Sequence, residues 1–331
     1  MIKSCMNESN DSPLTRGWDT YWQGARSSGA YAADGVTHPA VATFWDLALA
    51  EVISSERSIR MLDIATGSGA VVERLTQHAS GGNCEVTCVD FSAAAIESVR
   101  SRFREVTGLV ADANSIPLDD SAFDLVTSQF GIEYAGPAAL SEATRLLAPG
   151  GTLILMMHVR PGIIYQECAA ALDAIRRTRQ SKFVPRALTF FESGFAAVRG
   201  ADRSSYDKAA LELNPSIQEL EAILSEHGEH VAGETVVRLY SDVQKIHSDI
   251  QHYEPDEVLG WLRAMDRELA EYERRMQSMC DSASDADGFA RICEHVRSQG
   301  LHVERSEPLM IDDKALPIGW ILRATRRDQA A

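Results

Sequence analysis

Between residues 60 and 158 the apolar positions change period in a regular rhythm. RMLDIA (60–65), CEVTCVD (84–90), EVTGLVADA (105–113), FDLVTSQF (123–130) and GGTLILMMH (150–158) are short apolar runs with the length of buried strands. The stretches between them, VVERLTQHA, SAAAIESVRSRF and PAALSEATRLL, carry apolar residues three and four apart, the spacing of a helix with one buried face. Repeated strand–helix units of this kind predict a parallel, doubly wound sheet.

The flanks read differently. Residues 1–16 are polar, and GWDTYWQGA then crowds aromatic residues into nine positions. VTHPAVATFWDLALAEVISS predicts a helix, with Thr37 as N-cap and Pro39 in the first turn. After His158 the strand signals stop, and residues 161–284 are mainly helical in pattern. The clearest element there is a long helix on which Val258, Leu262, Met265, Leu269, Tyr272 and Met276 form one apolar stripe. That stripe either packs on its own domain or pairs with a second copy in a homodimer. GFARICEHVRSQG predicts a further helix, and LHVERSEPLMI and PIGWILRATR two closing strands. The expected organisation is a cover segment at 1–59, a sheet domain at 60–160 and 285–328, and a helical insertion at 161–284 between the fifth and sixth strands.

Composition narrows the partners. A net charge of −16 disfavours a surface that tracks phosphates, so nucleic acid is not expected, and a small molecule is. No stretch reaches the apolar length of a membrane span, and MIKSCMNESNDSP lacks a signal-like apolar core, so a cytoplasmic setting is expected. The six cysteines, at 5, 84, 88, 168, 280 and 293, form no CxxC pair; Cys84 and Cys88 share one face of a strand as small buried hydrophobes.

The chemistry centres on LDIATGSGA at 62–70. A glycine turn between a buried strand and a helix lets a ligand approach the helix N-terminus. Gly67 and Gly69 match part of the nicotinamide fingerprint, but Val72 stands where its third glycine belongs, and no phosphate-binding lysine follows the turn. Asp90, ending the second strand, can accept from ribose hydroxyls. Asp112, ending the third, can accept from an exocyclic amine, and Phe91 and Ile116 offer apolar faces to an adenine ring.

Taken in order, LDIATGSGA, CVDFS, ADANSIPLDDSAFD and LLAPGGTLIL resemble the four cofactor motifs of the class I S-adenosylmethionine-dependent methyltransferases, in the branch of the quinone-biosynthesis enzymes. Ala65 replaces that family's usual first glycine. The resemblance implies a Rossmann-like, mostly parallel seven-stranded sheet and S-adenosyl-L-methionine as cofactor. It implies that Asp63, Ala65 and Gly67 border the methionine moiety, with Gly69 also binding the cofactor, that Asp90 binds the ribose and that Phe91 lies against the adenine. Asp112, Ala113 and Ile116 would surround the adenine edge, and Gln129 would offer a backbone carbonyl to the amino group.

Methyl transfer demands alignment and exclusion of water more than a strong catalytic motif. A base is needed where the acceptor loses a proton early, as a hydroxyl does. Residues after the fourth and fifth strands are best placed for it: Glu133 and Tyr134, then His158 and Arg160. His158 is the first choice as base, Tyr134 a stacking or hydrogen-bonding residue, and His38 a further candidate from the cover segment, where Tyr21, Trp22 and Tyr31 could close the pocket. The insertion is expected to form a lid, its aromatic residues (Phe183, Phe190 and Tyr206 among them) either facing an organic acceptor or building its own core. His227 with His230, and His247 with His252, are too loosely spaced for a metal site, even beside Glu226 and Glu229, and none is expected. The expected activity is methyl transfer to a small molecule, at oxygen before carbon or nitrogen. A non-catalytic binder of the same cofactor and a nicotinamide oxidoreductase are the rivals.

Overall fold

Strand and helix alternate as expected in the computed structural model, which describes residues 38–53, 58–78, 84–311 and 315–327. Helix α1 (Pro39–Val52) precedes β1 (Ile59–Ile64), α2 (Ala70–His78), β2 (Cys84–Asp90), α3 (Ala93–Arg102), β3 (Thr107–Val110) and β4 (Phe123–Gln129). A 3-10 turn (Ile132–Tyr134) leads to α4 (Pro137–Leu146) and β5 (Leu147–Met157). Five helices follow, α5 (Ile163–Gln180), α6 (Phe183–Val198), α7 (Ser204–His227), α8 (Thr235–Ser248) and α9 (Pro255–Ser282). The chain then returns through α10 (Ala286–Ser298), β6 (Leu301–Met310) and β7 (Pro317–Arg326).

The seven strands form one sheet in the order β3-β2-β1-β4-β5-β7-β6. The first five are parallel, and β7 pairs antiparallel with both β5 and β6. The order reverses direction between β1 and β4, the place where open α/β sheets leave a crevice beyond their strand ends. All but the last residue of β4 are buried, as in a strand covered on both faces, whereas most of edge strand β6 is exposed and carries charges and Pro308 that discourage further pairing. One face of the sheet packs Leu62, Ile64, Val126, Leu153, Leu155 and Leu322 against α4 and α10 residues such as Leu140, Leu146 and Phe289.

Three boundaries differ from the sequence reading. The N-cap of α1 is His38, whose Nδ1 accepts from the Ala40 N–H (3.1 Å), one residue later than expected. Strand β5 begins at Leu147 rather than Gly150, because a register shift opposite Phe123 and Leu125 absorbs the Pro149-Gly150-Gly151 step within the strand. Strand β3 keeps only four residues, those that pair with β2.

The chain divides into two units, the sheet unit (up to Tyr165 and from Asp281 on) and Gln166–Cys280. The second has its own core: Phe183, Phe190, Phe191 and Phe195 are buried with Leu213, Leu220, Leu239 and Leu262. The α9 stripe is covered within the chain, with Val258, Leu262, Leu269 and Met276 buried and Met265 and Tyr272 half-buried. No helix of the described residues is long and apolar enough to cross a membrane.

Candidate active site

Asp63, the penultimate residue of β1, is buried. Its Oδ2 accepts from Thr66 Oγ1 (2.6 Å) and its Oδ1 from Thr127 Oγ1 (2.8 Å). Burial pushes its carboxyl up to about 6; the threonine hydroxyls work against that rise, and the charge of Asp90 adds to it. The turn that follows bends through three residues in the left-handed region, Ala65 (φ +53°), Gly67 (+51°) and Gly69 (+81°). Glycine adopts that conformation freely, whereas Ala65 holds it at a steric cost. At Gly69 a side chain would also crowd Val99 and Phe103, each 3.2 Å from where a Cβ would lie.

Asp90 stitches this turn to the end of β2. Its Oδ2 accepts from the Gly67 N–H (2.9 Å) and its Oδ1 from the Ser92 N–H (2.9 Å), while the Thr66 N–H donates to the Val89 carbonyl. The Ala111 N–H donates to the Asp90 carbonyl (3.0 Å), which brings the Asp112 stretch alongside. Asp112 is exposed and accepts from the Asn114 N–H and side-chain amide (2.9 and 3.0 Å). Phe91 and Ala113 are half-buried. Ile116 is buried in the core, its N–H donating to Glu142 Oε1 (2.7 Å) and its carbonyl accepting from Arg145 (3.0 Å). The Arg145 guanidinium beside Glu142 holds that carboxyl below the usual range.

This donor set can be tested against the implied cofactor. The stretch offers three carboxylates, Asp63, Asp90 and Asp112, and the glycine turn has no Lys or Arg. That chemistry suits a ligand with a cationic end, a diol and an exocyclic amine. The residues present therefore fit S-adenosylmethionine.

A second cluster forms past β4 and β5. Gln129 ends β4 in register with Met156. Phe130 then turns through φ +51° and its N–H donates to the Met156 carbonyl (2.7 Å). Gly131 starts the 3-10 turn, with the Ile132 N–H donating to Ser128 Oγ (3.1 Å) and the Tyr134 N–H to the Gly131 carbonyl (3.1 Å). The side chain of Glu133, on that turn, is buried, and its Oε1 accepts from both the His158 N–H (2.9 Å) and the His158 Nδ1 (2.7 Å). His158 is 1% exposed. The Phe130 and Tyr134 rings contact its imidazole, with centroids 4.7 and 5.7 Å away. Of the candidates after the parallel strands, Glu133, Tyr134 and His158 thus converge on one point. Arg160 remains exposed, paired with Asp285 (3.4 Å).

His38 is placed elsewhere. It caps α1 and lines a cleft of about 810 Å³ with Phe44, Arg305 and Arg323, which contains none of the other candidates. Tyr21, Trp22, Tyr31 and Thr37 lie outside the described residues. In the insertion Asp173, Glu226 and His227 gather their ligand atoms within 4.8 Å. Arg177 pairs with both carboxylates of that group, Glu226 (2.6 Å) and Asp173 (3.4 Å), and His227 pairs with Asp173 (2.9 Å). His230 pairs with Glu234 (3.1 Å), His247 with the Tyr206 hydroxyl (2.7 Å) and His252 with Asp249.

Sequence reading missed Thr66 and Thr127 as holders of Asp63, and did not see that Glu133 grips His158. Small hydroxyl residues at a strand end carry no motif. The Glu133–His158 pairing spans 25 residues and two strands, so only the sheet order brings it about.

Parts of the chain are similar to known proteins. A model described as a methyltransferase domain matches residues 62–155. A demethylmenaquinone methyltransferase of Thermus thermophilus is 38% identical over 118 residues, 32% of this chain and 53% of its own length. A ubiquinone/menaquinone biosynthesis C-methyltransferase of a Shewanella species is 29% identical over 126 residues, 36% of this chain and 50% of its own. The chain therefore spans about half the length of the curated relatives it matches. Among solved structures, a methyltransferase in complex with the Haloferax volcanii Trm112 activator aligns over 94% of this chain and 98% of its own, at 15% identity and a TM-score of 0.47. Residues 62–155 are thus similar to a methyltransferase domain, and they lie in a sheet whose order and four cofactor motifs resemble those of the class I S-adenosylmethionine-dependent methyltransferases.

Proposed function

We propose that the protein methylates a small organic molecule, at an acceptor hydroxyl in the first reading, with His158 as the base. The observation that carries this is the buried Glu133–His158 pair. One carboxylate oxygen takes both the backbone N–H and the Nδ1 of the same histidine. Glu133 Oε1 acts as acceptor to both, so Nδ1 carries the proton and Nε2 is the basic nitrogen. Glu133 also stabilises the imidazolium that forms when Nε2 takes the acceptor's proton. Phe130 and Tyr134 flank the ring, which restricts its rotation and keeps water away.

S-adenosylmethionine, when bound, supplies a methyl group already activated by its sulfonium. In this reading Asp90 holds the ribose, Asp112 and Ala113 the adenine edge, with Phe91 against the ring and Ile116 supporting it from the core. Asp63, Ala65, Gly67, Gly69 and the Gln129 carbonyl surround the methionine end. The buried charge of Asp63 favours a cation beside it. The acidic balance of the chain supports a small acceptor over a nucleic acid. A carbon acceptor with an acidic hydrogen is the second reading, because the Shewanella relative is a C-methyltransferase by name and the same base would serve.

The test is calorimetric titration with S-adenosylmethionine and S-adenosylhomocysteine, with NAD as control. Saturable binding of the adenosyl ligands alone supports the reading, and binding of NAD in their place rejects it. The pH–rate profile of His158→Ala on any acceptor found then tests the base. A profile unchanged from the parent removes His158 from that role.

A further inference from the structure

The glycine turn and the turn that carries Glu133 meet at one contact. Ala65 (φ +53°) and Phe130 (φ +51°) are both non-glycine residues in the left-handed region, just beyond the neighbouring strands β1 and β4. Gly131 follows Phe130 with φ −145° and ψ −49°, a pair outside the regions that other residues favour, so the backbone already inclines this position to glycine. Space adds a second reason. A Cβ on residue 131 would lie 2.6 Å from the Ala65 Cβ, 3.0 Å from the Ala65 carbonyl oxygen and 3.5 Å from Ser128 Oγ. Real carbon atoms do not approach to 2.6 Å, and packed interiors transmit such a displacement rather than absorb it.

We infer that Gly131 is a positioning residue, setting the register between the cofactor turn and the Glu133–His158 pair through its contact with Ala65. On one side, Ala65 lies between Asp63 and Gly67, the latter fixed by its N–H to Asp90. On the other, the Gly131 carbonyl accepts from the Tyr134 N–H, and the turn so closed presents Glu133 to His158. Neither turn can move toward the other while the Ala65 methyl fills the place of a side chain at 131. Ala65 in place of glycine makes the contact close, and glycine at 131 makes it tolerable. The two positions therefore act as a pair.

This inference rests on the cofactor reading above, and a double-mutant cycle separates the two. Wild type, Gly131→Ala, Ala65→Gly and the double variant would be titrated with S-adenosylhomocysteine and unfolded thermally. Gly131→Ala should weaken S-adenosylhomocysteine at least tenfold and lower Tm. Ala65→Gly removes the methyl and relieves the positive φ, so it should raise Tm. In that background Gly131→Ala should cost far less, recovering at least half of the lost affinity on a logarithmic scale, with the carbonyl at 3.0 Å keeping recovery incomplete. Equal losses in both backgrounds, or binding by Gly131→Ala within twofold of wild type, overturn the inference. If Gly131→Ala does not fold, a folded double variant supports the pairing and an unfolded one refutes it. If wild type itself fails to bind, the cofactor reading falls, and the Tm cycle alone decides the contact.

Discussion

Asp63 gives a pH-dependent stability with a definite sign. Its carboxyl is about 6 in the folded chain against an ordinary 3.8, so between those values the folded state holds a proton that the unfolded state has lost. Stability from this group is therefore greatest below 3.8 and declines as pH rises through 6. Two units correspond to about 3 kcal/mol at ~1.36 kcal/mol per unit. Asparagine keeps the shape and cannot titrate. In Asp63→Asn the Thr66 and Thr127 hydroxyls re-pair with the amide, which adds an offset that does not depend on pH. Urea unfolding of both proteins from pH 4 to 8 is the assay. The stability of Asp63→Asn minus that of wild type should rise by about 2 kcal/mol between pH 4 and 6 and level off by pH 7. The subtraction cancels every other titrating group common to the two proteins. A difference that stays constant with pH would refute the argument and show that the Asp63 carboxyl meets water.

The same group predicts the ligand. Adenosyl-ligand affinity should be flat above pH 6 and fall up to about tenfold per unit below it, and Asp63→Asn should lose that dependence; calorimetry across pH checks both. Asp90→Ala removes the acceptor of the Gly67 and Ser92 N–H groups, and should weaken S-adenosylhomocysteine by about 1.5–3 kcal/mol, the range for hydrogen bonds to a charged group. Unchanged affinity in a folded variant would remove Asp90 from the site. His158→Ala should lower kcat by about 10²–10⁴-fold, the usual contribution of a base, with little change in S-adenosylhomocysteine affinity. Glu133→Gln should lower kcat by about ten- to a hundredfold, since it loses a charged hydrogen bond to the ring. Steady-state kinetics with a turned-over acceptor measures both, and equal losses in kcat and ligand affinity would mark either residue as structural.

The sequence by itself determined the sheet and the cofactor turn. Strand length, helical period and glycine position are local properties, and the four motifs follow one another within a hundred residues, so LDIATGSGA, Asp90 and Asp112 could be read in order. Tertiary structure decided what those residues touch. Asp63 owes its raised carboxyl to burial and to its nearness to Asp90, which belongs to another strand. Ile116, a candidate adenine contact by position, is buried in the core because Glu142 and Arg145 of α4 fix its backbone there. His38, a candidate by residue type, caps α1 in a cleft lined by residues of β6 and β7, apart from the other candidates. The Glu133–His158 pair and the Ala65–Gly131 contact exist because β4 lies between β1 and β5 in the sheet. Strand order is a global choice, made by the burial of all the faces together, and no window of sequence contains it.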